Sequence, residues 1–185
     1  VADLTIAYNF LDAAIPTYFP APLLGNGTVW TPGIYSVAQT ATLDNTLTLD
    51  AQGNGNALFI IQIEGAFSST SGSQIILANG AQACNVFWKI EGLVNLATNT
   101  LFKGTVIANN AAIVFNTGVQ LEGRALSTTG AITISGTVSR KPSGCGSAVL
   151  TGPLAPSLGT VACYTIFSGN GGVTNTGVTY ITGDV

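Results

Sequence analysis

Apolar residues in this chain come in short runs broken by Gly, Asn, Thr and Ser, and within the runs they alternate with polar ones. That period of two predicts β-strands. The runs also recur. Ile75, Val94, Ile113 and Ile132 stand 19 residues apart, as do Leu77, Leu96, Phe115 and Ile134, so "SQIIL", "GLVNL", "AAIVF" and "GAITI" take equivalent places. The same step relates Phe87 to Val106 and Ala125, and Trp88 to Ile107 and Leu126. A fixed step with apolar residues at i and i+2 describes a β-solenoid, each coil stacking on the last at about 4.8 Å.

The pleat implied by these positions turns Gln74, Ile76, Leu93, Asn95, Ala112, Val114, Ala131 and Thr133 outward, as one flat and partly apolar face. Thr46 and Thr48 point outward as well if Leu47 and Leu49 point in. Elsewhere three successive residues are apolar, as in Val86, Phe87 and Trp88, which predicts a sheet buried on both sides. Residues 1–15 are the expected cover: Leu4, Ala7, Leu11 and Ala14 follow helical spacing, and Pro16, Pro20 and Pro22 stop the helix. The whole of 1–185 then reads as a single domain. Coils run over 28–140, a Gly-, Pro- and Ser-rich linker over 141–157, and a last coil over 158–185. The polar turn "DAQGNGNA" lacks the strand and helix context of a phosphate loop.

Composition narrows the function. Only 7% of the 185 residues are charged, five basic against eight acidic, and there is no histidine. Nucleic-acid binding, which needs a basic face, is excluded, and so is a polar disordered chain. No apolar run reaches the roughly 18 residues of a bilayer span. Without histidine the commonest general base and metal ligand are missing. The carboxylates are scattered along the sequence, so neither a cofactor nor a calcium site is expected. Glu64, Glu91, Glu122 and Arg124 are the residues a polysaccharide-cleaving site would draw on, with Glu122 and Arg124 on one side of a strand; a surface ion pair is the plainer reading. A chain that opens on Val1 reads as a processed, secreted product. Cys84, Cys145 and Cys163 then fit one disulfide and one thiol left for a bridge between subunits, or three buried, inert thiols. Asn26, in "NGT", satisfies the glycosylation rule.

Longer motifs carry a resemblance. "TPGIYSV" at 31–37, "LTLDAQGNGNALFIIQI" at 47–63, "NGAQACNVFWKI" at 79–90, "NTGVQLEGRAL" at 116–126 and the C-terminal "LGTVACYTIFSGNGGVTNTGVTYITGDV" resemble the ice-binding-protein-like β-solenoid domains, a group of secreted microbial proteins that includes antifreeze proteins and ice adhesins. The resemblance implies a mostly β fold: a right-handed, three-sided parallel β-solenoid with one α-helix packed alongside. In that family the segment resembling 158–185 comes first, and here it comes last.

Two readings of function follow. In the first, the last coil is donated to a neighbouring copy, giving a non-enzymatic, extracellular, cell-surface fibre that grows head to tail. Leu158, Cys163, Val173, Val178, Ile181 and Val185 would make that contact. In the alternative, implied by the resemblance, the coil folds back on its own solenoid and a flat face binds ice. The mixture of Ile76, Leu93 and Val114 with Gln74 and Asn95 on the expected outer face favours the first reading.

Overall fold

The computed structural model describes residues 1–143 and 155–185; Cys145 and most of the expected linker lie outside the described residues. The strands stack in three parallel faces, and every pairing between the described strands is parallel. Face A holds seven strands: Leu23–Gly25, Ala41–Asp44, Phe67–Ser69, Val94–Leu96, Ile113–Phe115, Ile132–Ser135 and Val173–Thr176. Face B stacks Thr28–Trp30, Thr46–Asp50, Gln74–Ala78, the first halves of Leu101–Ala108 and Gln120–Ser127, Val138–Arg140 and Tyr180–Thr182. Face C stacks Gly33–Val37, Phe59–Ile63, Val86–Ile90, the second halves of the same two long strands, and Ile166–Ser168.

The long strands bend from face B to face C at Gly104 and Gly123. Gly104 has φ +107°, which favours glycine, and a Cβ on Gly123 would fall 1.8 Å from the Gly104 carbonyl oxygen. Other corners are turned by Asn in the left-handed region, at Asn26, Asn45, Asn79, Asn99 and Asn110. The spacing of corners explains where the 19-residue step holds. Val94, Ile113 and Ile132 pair in register, as do Leu96, Phe115 and Ile134. Ile75 and Leu77 do not join them: they pair with Leu47 and Leu49 on face B, and the neighbour of Val94 is Phe67. The third coil is lengthened by residues 79–85, which include the 3-10 turn Ala83–Asn85, and this insertion shifts the frame. On face C, Val106 lies beside Trp88 and Ile107 beside Lys89, one residue out of the expected step, because the corner before Val94 is a residue shorter than the corner before Ile113.

The interior is continuous from Leu24 to Ile166 and centres on Phe67, Trp88 and Phe102, whose ring centroids lie 5.2 to 5.9 Å apart. Trp88 satisfies its buried indole by donating to the Lys103 carbonyl at 3.0 Å. Strand Val86–Ile90 is buried at every position, Val86, Trp88 and Ile90 inside and Phe87 outside. Helix α1, Ala2–Asp12, covers that outer side with Leu4, Ala7 and Leu11, all fully buried against Ile34, Leu58, Ile60, Phe87, Ile107, Leu126 and Val161. The expected stripe and its dock are therefore both present, with Ala14 partly buried beyond the helix end.

The C-terminal segment closes on its own chain. Ile166–Ser168 pairs with Ala125–Ser127, Val173–Thr176 with Ile132–Ser135, and Tyr180–Thr182 with Val138–Arg140. Its leading 3-10 turn, Gly159–Cys163, meets α1, where Thr160 donates through its backbone N–H and hydroxyl to the Asp3 carboxylate at 2.7 and 2.6 Å. Those bonds hold the Asp3 carboxyl below its ordinary pKa. Arg124 donates from Nε to the Ala162 carbonyl at 3.1 Å, fixing the same turn to face C.

Candidate functional site: an uncharged sheet face

The three faces differ most in charge. Within the strands of face A, Asp44 is the only ionisable side chain, and its carboxylate accepts from the Thr70 hydroxyl at 2.7 Å. Parallel register lines the outward residues into a row, Leu23, Thr42, Ser68, Asn95, Val114, Thr133 and Thr174. Strand spacing sets their repeat at about 4.8 Å. Thr42 and Ser68 are joined at 3.1 Å, and Asn116 donates to Asn95 Oδ1 at 2.9 Å, so neighbouring side chains hold one another in place.

Face B carries Asp50, Lys103, Glu122 and Arg140. Glu122 bridges Lys103 at 2.8 Å and Arg140 at 3.2 Å. The Lys103 hydrogen bond, against the opposing effect of burial and with help from Arg140, holds the Glu122 carboxyl below its ordinary pKa. Face C is occupied by α1. Gln62 fastens the end of the helix to this face: its Nε2 donates to Leu11 O in the last turn and to Ala14 O just beyond it, both at 2.7 Å.

The eight residues expected on one outer face divide. Leu93, Asn95, Ala112, Val114, Ala131 and Thr133 lie on or beside the face A strands, whereas Gln74 and Ile76 lie on face B with Thr46 and Thr48. The insertion at 79–85 is the reason. Among the expected assembly residues, Leu158 packs partly buried against the α1 cluster and Ile181 against the main core. Val173, Val178 and Val185 are exposed on the last coil. Cys163 is exposed, Cys84 is half-buried beside Gln82, and Cys145 lies outside the described residues. Asn26 is exposed at a corner.

Of the four residues considered for catalysis, Glu122 and Arg124 both point away from the interior, into which Leu121 and Ala125 point, but the bend at Gly123 leaves Glu122 on face B and puts Arg124 on face C, where it holds the turn at Ala162. Glu64 and Glu91 do come together, with Asp12, within 4.8 Å. Their dispersal in sequence concealed this cluster, since α1 and two successive coils supply one carboxylate each. At its centre is Lys89, 1% exposed, with Nζ at 2.7 Å from Asp12, 3.0 Å from Glu64 and 2.7 Å from Glu91. Burial opposes the ammonium, but its three carboxylate bonds outweigh burial and hold it above the usual lysine value. Glu91 also accepts from Tyr8 and Asn109; these bonds and Lys89 overcome burial and keep its carboxyl low. Burial and the bond to Glu91 push the Tyr8 phenol upward. The arrangement is a clamp that ties the end of α1 to face C.

The family model described as Ice-binding-like matches residues 1–139, three quarters of the chain. The chain belongs to the ice-binding-like family. A relative named ice-binding protein, from Nostoc sp. (strain HG1), is 41% identical to this ice-binding-like chain over 133 residues, covering 71% of it and 49% of the relative. Ice-binding protein 1 of Shewanella frigidimarina (strain NCIMB 400) is 42% identical over 139 residues, 71% of this chain and 15% of that protein. The chain thus corresponds to half or less of the length of these two relatives. A solved ice-binding protein from an Antarctic Flavobacteriaceae bacterium is 54% identical with a TM-score of 0.78, over 96% of this chain and 49% of that one. The family match ends at residue 139, whereas the structural match extends over nearly the whole chain.

Proposed function

We propose that this chain binds ice, and that face A is the surface that does so. The observation that carries the reading is the contrast between faces among the described residues: face A is uncovered and nearly free of charge, face B bears an ion-pair network, and face C is covered by a helix. Charged groups hold their own hydration tightly, whereas small hydroxyls and methyls on a regular, rigid repeat leave water free to adopt the order of a lattice. Thr42, Ser68, Thr133 and Thr174 supply such groups in one row. The names of the relatives support the same reading. The protein acts by adsorption and not by catalysis, and outside the cell, where ice meets it. None of the helices among the described residues is long and apolar enough to cross a membrane.

A fibre subunit joined by a donated coil has less behind it. The segment that would be donated already completes the sixth coil of its own chain and is bonded to α1 through Asp3 and Thr160. Ice binding, the alternative in the sequence reading, fits the fold better.

The test compares Thr133→Tyr and Thr174→Tyr on face A with Thr48→Tyr on face B, measuring thermal hysteresis and inhibition of ice recrystallisation. All three sites are solvent-facing, so folding is expected to survive. Loss of most activity in the first two and retention in the third is expected. Full activity in both face A variants, with loss in Thr48→Tyr, would move the site to face B.

A further inference from the structure

Asparagine is followed by glycine at Asn26, Asn54, Asn79 and Asn170. Such a pair is chemically labile, because the glycine nitrogen can attack the asparagine side-chain carbonyl and no Cβ crowds its approach. The fold treats the pairs differently. Two are locked. At Asn26 the backbone is left-handed, φ 52°, and the Gly27 N–H that would attack is donated to Thr46 O at 2.8 Å. At Asn79, φ 48°, the side-chain Nδ2 donates to both Asp50 oxygens at 2.9 Å, and that carboxylate opposes negative charge forming beside it. Asn170 is not activated: among the described residues nothing donates to its side-chain or backbone carbonyl.

Asn54 is set up for the reaction. It is exposed in the turn between Thr46–Asp50 and Phe59–Ile63. Its Oδ1 accepts the Asn56 N–H at 3.0 Å, so a donor already points at the oxygen that takes up negative charge when Cγ is attacked. Its backbone carbonyl accepts the Ala57 N–H at 2.9 Å, which draws charge from the Asn54–Gly55 peptide group and makes the Gly55 N–H easier to deprotonate. That N–H has no hydrogen-bond partner among the described residues. Gln82 and Asn85 donate to the next carbonyl, Gly55 O, at 2.7 and 3.2 Å, and so hold the turn in this arrangement.

We infer that Asn54 is a self-modifying site, at which the Gly55 nitrogen cyclises onto the Asn54 side chain. The Gly55 N–H gives its proton to hydroxide or water, and the nitrogen bonds to Cγ. The Cγ–Nδ2 bond then breaks, and Nδ2 leaves as ammonia, its third hydrogen being the glycine proton returned through solvent. Water adds to either carbonyl of the five-membered imide and opens it to aspartate or isoaspartate. No oxidant, reductant or cofactor takes part. Either product adds a negative charge to the turn. Isoaspartate also lengthens the backbone by one methylene just before Gly55, which slackens the hold of Gln82 and Asn85 and with it the seating of the insertion at 79–85. The inference is independent of what face A binds.

The test incubates the 185-residue chain in mildly alkaline buffer below its melting temperature, folded and in denaturant, and follows each Asn–Gly peptide by mass spectrometry. In denaturant the four pairs should react at similar rates. In the folded chain Asn54 should react about tenfold faster than in denaturant, Asn26 and Asn79 about tenfold slower, and Asn170 at its denatured rate. Gly55→Ala, whose methyl would stand 3.3 Å from the tip of Gln82, obstructs the attack and should slow Asn54 about tenfold while leaving the other three pairs unchanged. A folded chain in which Asn54 reacts no faster than in denaturant, or in which another pair is modified first, would overturn the inference, and so would an unaffected Gly55→Ala. The comparison of folded with denatured chain needs no variant, so it carries the test if Gly55→Ala misfolds.

Discussion

Replacing Lys89 by Met keeps most of the side-chain volume in a site that is 1% exposed but removes the one cation that three carboxylates share. Asp12, Glu64 and Glu91 then face one another within 4.8 Å with nothing between them. Stripping one partner from a buried ion pair costs about 3–5 kcal/mol. Here the carboxylates are 52%, 41% and 25% exposed, so water and counterions recover part of that loss. A destabilisation of about 2–3 kcal/mol at neutral pH is expected, which for a domain of this size lowers the melting temperature by roughly 4–12 °C. The pH dependence separates this cause from lost packing. In the unaltered protein Glu91 has a depressed pKa, so its contribution is present above the ordinary value of 4.5 and is lost as pH falls through the folded value. In the variant the crowded carboxylates bind protons more readily, so acid relieves them. The gap between the two proteins should therefore shrink as pH is lowered from 7 towards 4, measured by denaturant unfolding followed through Trp fluorescence and circular dichroism. Equal stability at pH 7, or a gap that does not change with pH, would refute the clamp.

Val94→Asp should cost more than about 4 kcal/mol, because it places an unpaired charge at a fully buried position, whereas Asn95→Asp, one residue along and exposed, should stay within about 1 kcal/mol. Comparable melting temperatures for those two would sink the strand register. Gly123→Ala should prevent folding or lower the melting temperature by more than about 10 °C, since its methyl would sit 1.8 Å from the Gly104 carbonyl oxygen at the bend between two faces; a melting temperature unchanged from the parent would show that the bend is not where the backbone places it.

How far the sequence reaches is best seen in the coils themselves. Alternation and the recurrence of Val94, Ile113 and Ile132 are local and linear, so the solenoid, its inward residues in the later coils and the covering stripe of Leu4, Ala7 and Leu11 were all legible. The assignment of residues to faces was not. A corner one residue longer or shorter moves every following residue by one place, and an insertion such as 79–85 moves Ile75 and Leu77 to another face, yet neither changes the period-two pattern within a strand. The partition of charge among the faces depends on that assignment, so the uncharged character of face A emerged only when register was fixed by hydrogen bonding between coils. Lys89 and its three carboxylates were hidden for the same reason, since their meeting depends on where α1 ends against two separate coils. The sequence by itself determined that this chain would coil and which apolar side chains of the later coils it would bury, because hydrophobic burial is written along each strand. Tertiary structure decided which residues share a surface, because that is set by the lengths of the corners and by which strand the returning C-terminal segment finds as its neighbour.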